Sequence, residues 1–429
     1  MTLVLVVLFG LMLLGIPVAF AILSAGMAYL ATTGGSMLVV AQRLIYGLNS
    51  FTLLAVPLFI LVGNLMDFGG ISKRLTDWAK SILGWLPGGL GIVTVFSCAI
   101  FAALTGSGPA TVAAIGSIML PSMLKAGYSK DTSAGLVASA GALGPIIPPS
   151  IPMIIYGVTM NLSIPAMFMA GVIPGLVIAL ALSLVNVVFA YRNPEVLKHA
   201  KTMKFDFKES MKLFWKALGA LGLPILILGG IYGGIFTPTE SAAVGIIYAL
   251  ILGFALKELK VKDLPKILIN SLKTSTMVNF IIAAASLFSW VVSKSQIGTV
   301  ISNAFISFVG GSQALYLFVL VVVLLIVGCL MDNVAATLIL APILIPVGIA
   351  LGCNELHIGM LFCICLVVGF VTPPFGYNLF TAVSISGLNF KQIVKGSLPF
   401  LLTEILLLFV FAYVPGIITW LPRLMGYGY

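Results

Sequence analysis

Six stretches of this chain, residues 3–30, 167–191, 217–236, 242–256, 315–330 and 400–413, are almost unbroken runs of apolar residues. About 20 such residues in a row let a helix cross the hydrocarbon of a bilayer. That layer holds no water, so every backbone N–H and C=O must be paired within the protein, and only helices and closed barrels can span it. Barrel strands alternate apolar and polar residues; these runs do not alternate. The chain is therefore expected to be all-α, a polytopic bundle of membrane helices. The composition agrees: 61% of residues are hydrophobic and 8% charged, whereas about a quarter are charged in soluble domains.

The formal charge of +10 is spread over short loops between the apolar runs, the positive-inside pattern that sets membrane orientation. It forms no patch for a nucleic-acid partner; the expected surroundings are the lipid bilayer. No cleavage site marks a targeting peptide, and residues 1–30 read as an uncleaved first span. Cys98, Cys329, Cys353, Cys363 and Cys365 all sit in apolar stretches. Their spacing fits neither a zinc site nor a disulfide framework, so they read as packing residues.

The basic loops serve as depth markers. Lys73, Arg74 and Lys80 mark one cytoplasmic loop, the residues from Arg192 to Lys216 a second, and those from Lys257 to Lys273 a third. Between the last two lie about 40 apolar residues, too many for one crossing at about 1.5 Å per residue. The chain must go out and return, turning near 233–240. There Thr237-Pro238-Thr239-Glu240 has the form of a capping box with proline at the first helical position. Glu240 is read as a helix-start residue rather than an ion ligand.

An internal repeat decides the architecture. Pro121 and Pro346 lie 225 positions apart, and so do Gly127 and Gly352, Gly144 and Gly369, and the pairs Pro148-Pro149 and Pro373-Pro374. Coincidences at one offset indicate a duplication. The extra span at 217–236 supplies the odd crossing that inverts the second copy, an arrangement found in many secondary transporters. Within each copy one stretch enters and returns between basic markers on the same side. Its midpoint is Thr105-Gly106-Ser107-Gly108-Pro109 in the first copy. In the second it is 328–334, with Met331-Asp332-Asn333. These are re-entrant hairpins or, with arms nearly long enough, two-span hairpins. After each comes a helix interrupted by prolines, Gly144 to Ser150 and Gly369 to Gly376. Proline removes a donor and forces its predecessor out of helical geometry. Unwound backbone at membrane depth persists only where it lines a cavity or faces protein.

Four segments carry a family resemblance: Thr105-Gly-Ser-Gly-Pro-Ala-Thr-Val-Ala-Ala-Ile-Gly, Gly144-Pro-Ile-Ile-Pro-Pro-Ser, Gly230-Ile-Tyr-Gly-Gly-Ile-Phe-Thr-Pro-Thr-Glu-Ser-Ala-Ala-Val-Gly and Gly369-Phe-Val-Thr-Pro-Pro-Phe-Gly. In this order, along essentially the whole chain, they resemble the large membrane subunit of TRAP (tripartite ATP-independent periplasmic) transporters. The resemblance implies a transporter and not an enzyme, an inverted-repeat elevator fold, and a multi-pass location in the bacterial inner membrane. It also implies coupling to Na+, a small membrane subunit and a periplasmic substrate-binding protein. The small, four-helix Q-type subunit is expected on a separate polypeptide, since the chain begins at the first large-subunit span. The expected division is 1–87 scaffold spans and amphipathic arm, 88–160 first hairpin and broken helix, 161–312 scaffold spans and basic loops, 313–386 second hairpin and broken helix, and 387–429 a C-terminal span. The expected cargo is a small carboxylate, sialic acid or a C4-dicarboxylate.

Sodium takes hard oxygen ligands. At the first tip these are Ser107, Thr111 and the carbonyls of Gly106 and Gly108, completed by Gly144 and Pro145. At the second, Asp332, Asn333 and Thr337 match, completed by Gly369, Val371 and Thr372. The plain structural reading of Ser107 and Thr111 is helix capping, and for Thr111 the two readings are level. Asp332 is an ionisable group inside an apolar run, where such groups are rare and mark function. A carboxylate substrate would meet the helix N-termini near Pro109 and Val334, whose free N–H groups favour anions. Ser107, Asn333, Tyr156, Asn378 and Arg43 are further candidates; snorkelling at the interface is the competing role for Arg43. Glu404 and Lys294 are expected near span ends. One sodium ion crossing about 100 mV supplies ~2.3 kcal/mol, roughly 40-fold accumulation of a neutral solute. An anionic cargo cancels that contribution, so at least two Na+ per cycle are expected.

Three rivals differ in class. A serine hydrolase at Ser107 needs a base, and His199 and His357 read as loop residues. A primary pump needs a phosphate-binding Gly-Lys loop, and the chain has no Gly-Lys dipeptide. A channel would build its filter from a ring of chains, whereas this chain carries its own inverted repeat. A stand-alone divalent-anion/sodium symporter shares the same physics without a binding protein.

Overall fold

The computed structural model describes residues 2–295 and 297–428, and within them every regular element is a helix. In chain order the first are α1 (Thr2–Leu13), α2 (Val18–Thr33), α3 (Leu38–Leu48), α4 (Ala55–Phe68) and α5 (Ile71–Leu83). Then come α6 (Gly89–Thr105), α7 (Gly108–Lys125), α8 (Lys130–Ala140), α9 (Ile151–Met160) and α10 (Ile164–Tyr191). The basic loop holds α11 (Pro194–Thr202), followed by α12 (Phe207–Tyr232), α13 (Pro238–Ala255) and α14 (Leu264–Lys294). The second copy continues with α15 (Ile297–Val309), α16 (Gln313–Leu330), α17 (Asn333–Ala350), α18 (Glu355–Gly369) and α19 (Tyr377–Ser386). α20 (Phe390–Tyr413) and α21 (Gly416–Leu424) close the chain. Among the described residues 7 helices are long and apolar enough to cross a membrane.

The duplication is visible element by element. α7 and α17 are both 18 residues long and start 225 positions apart, while α9 and α19 both have 10 residues. Gly127 and Gly352 both take left-handed backbone, φ 88° and 81°, and both Pro-Pro bonds are cis. The copies are not identical. The second runs as the unbroken 31-residue α14 where the first is broken into α3 and α4, which meet at 69°.

Two groups of helices result. α2, α3, α4, α12, α13 and α14 pack on one another as one wall. The hairpins α6–α7 and α16–α17 form the other group with the broken helices. Here the copies exchange partners: α9, which follows the first break, packs on α17, and α19, which follows the second, packs on α7. α5 links the groups as an amphipathic arm. It buries Ile71, Leu75 and Ala79 and ties Arg74 to Glu258 at 3.1 Å.

Three expectations need correction. The single first span over residues 1–30 is two helices packed on each other, α1 and α2. Gly15 at φ 79° and Pro17, which has no N–H to donate, turn the chain between them. His357 is not in a loop; it lies in the first turn of α18, 2% exposed, with Nε2 at 2.8 Å from the Phe411 carbonyl. Glu404 is not at a span end but deep in α20 at 1% exposure. The capping box at Thr237 is present, with Thr237 N donating to Glu240 Oε2 at 2.8 Å and Glu240 N to Thr237 Oγ1 at 3.3 Å.

Two stability effects follow. Gly106 ends α6 at φ 60°, and a Cβ there would sit 2.8 Å from the Pro149 carbonyl oxygen. Left-handed backbone costs a residue with a Cβ ~1–2 kcal/mol, and the contact adds to it. Gly106→Ala should therefore lower the melting temperature of the detergent-purified protein clearly; an unchanged melting point would mean the tip relaxes freely. Thr237→Ala should cost ~1 kcal/mol through the lost cap and leave transport intact, as paired thermal melts and uptake assays would report.

Candidate functional site

The hairpin tips meet between the two helix groups. α6 closes at Gly106, and Ser107 then takes extended backbone (φ −132°, ψ 127°), so α7 starts afresh from the tip. At the other tip Asp332 is the N-cap of α17 and its Oδ1 accepts from Val334 N at 2.8 Å. Each tip rests on a break. The α-carbon of Gly144 lies so close to Ser107 that a Cβ there would be 2.5 Å from the Ser107 carbonyl oxygen. Gly369 is packed as closely against Gly328, where a Cβ would be 2.5 Å from its backbone. Ser150 bridges the first break, its hydroxyl donating to the Pro145 carbonyl at 2.6 Å and accepting from Met153 N at 3.4 Å.

A cavity of about 400 Å³ opens in front of the tips. Gly106, Ser107, Gly108 and Pro109 line it from the first hairpin, Asp332, Asn333 and Val334 from the second. Pro145 comes from the first break, and Phe370 and Tyr377 from either side of the second. The opposite wall belongs to the other helix group: Gly63, Asn64 and Asp67 of α4, and Thr274 and Met277 of α14. Asp67, at the end of α4, and Thr274 are exposed. Its described lining includes two carboxylates, Asp67 and Asp332, and no Lys, Arg or His.

Behind each tip lies a cluster of oxygens. At the first, Thr111 Oγ1 donates to the Ser107 carbonyl at 2.8 Å and lies 3.2 Å from Thr105 Oγ1. Asn378, from the second copy, reaches this cluster: Nδ2 donates to the Ala138 carbonyl at 3.0 Å, while Oδ1 is buried without a partner. A Cβ on Gly108 would lie 2.7 Å from that oxygen, so glycine there admits Asn378. At the second tip the whole Asn333 amide and Thr337 Oγ1 are buried without partners. Buried polar atoms are nearly always paired, so these atoms are the ones free to meet a water or a ligand.

The sequence candidates thus fall into three sets. Gly106, Ser107, Gly108, Pro109, Pro145, Asp332, Asn333 and Val334 face the cavity. Thr111, Gly144, Thr337, Gly369, Val371, Thr372 and Asn378 are not among its lining residues. Of these, Thr111, Gly144 and Asn378 pack behind the first tip, and Gly369 packs against the base of the second. Arg43 and Tyr156 belong to neither set. The Arg43 guanidinium stacks over Trp290 and Tyr46, 5.5 and 5.6 Å from the ring centroids. Tyr156 is fully buried against Phe362, with ring centroids 5.6 Å apart. Serving as an N-cap does not exclude Asp332 from the cavity, and Ser107 makes no side-chain cap bond. The wall of Asn64 and Asp67 was missed. Its signal was two polar residues three apart, hence on one face of an apolar helix. Asn64 Nδ2 also donates to Ser271 Oγ of α14 at 2.8 Å, locking that wall.

Known proteins are similar to this chain over nearly its whole length. The family model described as "Tripartite ATP-independent periplasmic transporter, DctM component" matches residues 5–417. The C4-dicarboxylate TRAP transporter large permease protein DctM of Pseudomonas aeruginosa is 38% identical, over 94% of this chain and 94% of its own. The sialic acid TRAP transporter large permease protein SiaM of Vibrio cholerae is 34% identical, over 98% of each. The isethionate TRAP transporter permease protein DctMQ of Oleidesulfovibrio alaskensis is 39% identical over 95% of this chain, which spans 64% of that longer protein. Permeases of this kind are transporters of the inner membrane, not enzymes, and work with a small membrane subunit and a periplasmic binding protein. The chain belongs to the DctM family, the large permease component of the tripartite ATP-independent periplasmic transporters.

Proposed function

We propose that this chain is the permease of a sodium-driven, binding-protein-dependent symporter that imports a small carboxylate by an elevator movement. The hairpins and broken helices would move as a body past the wall of α4 and α14. The observation that carries this reading is the cavity between those two bodies, with both hairpin tips on one side and a separately braced wall on the other. The unpaired Asn378 oxygen, packed against Gly108 of the first tip, suits a hard, oxygen-seeking cation such as Na+. So do the unpaired Asn333 and Thr337 oxygens at the second tip. That makes two clusters, in keeping with at least two Na+ per cycle.

The lining supports an anionic cargo only in company. With no cationic side chain among the described lining residues, a carboxylate depends on bound cations and the N-termini of α7 and α17. Relatives are named for C4-dicarboxylate, sialic acid and isethionate, which favours a small anion without choosing one. The partners are a small Q-type membrane subunit and a periplasmic protein that delivers the cargo.

Uptake of labelled sialic acid and succinate into proteoliposomes, with the small subunit and the cognate binding protein, tests the assignment. Uptake should require both an inward sodium gradient and the binding protein; sodium-dependent uptake without the binding protein would make the chain a stand-alone symporter. A ligand oxygen to a charged partner contributes ~1.5–3 kcal/mol, about 10–100-fold in an equilibrium constant. Asn378→Ala and Asp332→Ala should therefore raise the half-saturating sodium concentration about tenfold or more. An unshifted sodium dependence in both would dissociate the tips from the ion.

A further inference from the structure

Asn64 and Asp67 face the hairpin tips across the cavity but have no part in the ion clusters above. Both stand on α4, three residues apart and hence on one face. α4 meets the first tip at Gly63, where a Cβ would lie 3.2 Å from the Thr105 α-carbon. Asn64 and Asp67 follow within about 6 Å of helix rise. A cargo held at the tips and lying along α4 therefore reaches them with its far end.

Neighbours fix the hydrogen-bond roles on this wall. Ser271 has one hydroxyl proton and donates it to the Ile267 carbonyl at 2.8 Å. It can only accept from Asn64, so the Asn64 nitrogen is turned to it at 2.8 Å and the Asn64 oxygen is left over. Thr274 likewise donates its proton to the Asn270 carbonyl at 3.2 Å. Asp67, which only accepts when ionised, takes a hydrogen bond from Ser72 of α5 and keeps lone pairs to spare. What remains is one Asn64 N–H against the oxygens of Asn64, Asp67 and Thr274.

The tips have the opposite bias. The Ser107 and Tyr377 hydroxyls can donate there, and so can the Asn333 amide, which has no partner within the protein. Asp332 is turned back on its own helix as the cap of α17, with Oδ1 accepting from Val334 N. Donors thus gather on one side of the cavity and acceptors on the other.

We propose that Asn64 and Asp67 select the far end of the cargo, so that the permease prefers a hydroxylated monocarboxylate to a dicarboxylate of the same length. The cargo's carboxylate would go to the tips, and its hydroxyls would donate to Asn64 and Asp67. A second carboxylate would bring only lone pairs and a like charge to Asp67, a repulsive element of the kind that sharpens specificity. The described lining has no Lys, Arg or His to offset it. The inference rests on the reading of this cavity as the cargo site.

The test is sodium-dependent binding to the chain and its small subunit in lipid nanodiscs. The binding protein is left out, so that the selectivity measured is the permease's own. The probes are acids of equal chain length, gluconate, hexanoate, adipate and 6-aminohexanoate, each titrated against the melting temperature. Gluconate should bind about tenfold or more tighter than the others, as expected of hydrogen bonds to a charged acceptor. Asp67→Asn, at an exposed position, should weaken gluconate and strengthen adipate, shrinking their ratio about tenfold. The half-saturating sodium concentration should stay unchanged in that variant. Equal binding of the acids, or any other acid ahead of gluconate, would overturn the inference and leave the cargo site standing. An effect of Asp67→Asn confined to sodium dependence would make Asp67 an ion ligand and overturn it as well. If the folded wild type bound none of the acids in sodium, the cargo-site reading would fall and the inference with it.

Discussion

Everything in this structure depends on backbone polar groups having no water to turn to. In hydrocarbon an unwound peptide must find a partner inside the protein or a cavity to face. The chain unwinds at four places near mid-membrane, two hairpin tips and two breaks, and each tip is laid against a break. Gly106 and Gly144 are needed because backbone meets backbone there: a methyl group at either would intrude on the Pro149 or Ser107 carbonyl. Ser150 supplies a further donor to the Pro145 carbonyl. The cost of breaking two helices is thus offset locally, by contacts that also gather oxygens at one depth.

The repeat makes the gathering two-sided. α9 leaves the first break to pack on the second hairpin, and α19 leaves the second break to pack on the first. Asn378 is the chemical expression of this exchange, a second-copy residue with its amide bonded to Ala138 and its oxygen turned toward the first tip. The first tip thus draws on the second copy for one of its oxygens. A perturbation in one repeat should therefore register at the site of the other.

The fold class, the repeat and the tips were legible because they rest on local signals: apolar length, a constant offset, and glycine and proline in polar clusters. Asp332 stood out as a carboxylate in an apolar run, and Thr237 with Glu240 as a cap. Other features depended on which helix lies beside which. Arg43 looked like a cation for the substrate until its guanidinium was found over Trp290, far away in sequence. Asp67 sits next to a glycine pair at a helix end, so only the assembled cavity shows that it faces the tips. Glu404 shows the same limit from the other side, since its apolar neighbours in sequence do not tell depth from edge. The break between α1 and α2 was readable in Gly15 and Pro17 but was outweighed by the continuity of the apolar run.

The charge of the cavity carries a consequence for the order of events. Its described lining holds two carboxylates and no Lys, Arg or His, so on the proposed reading cations are the species its side chains favour. An anion arriving first meets repulsion; one arriving after cations have collected meets attraction. On the proposed reading, the same residues would keep the protein from carrying an anionic cargo without cations. Strict coupling can thus arise from what the pocket lacks.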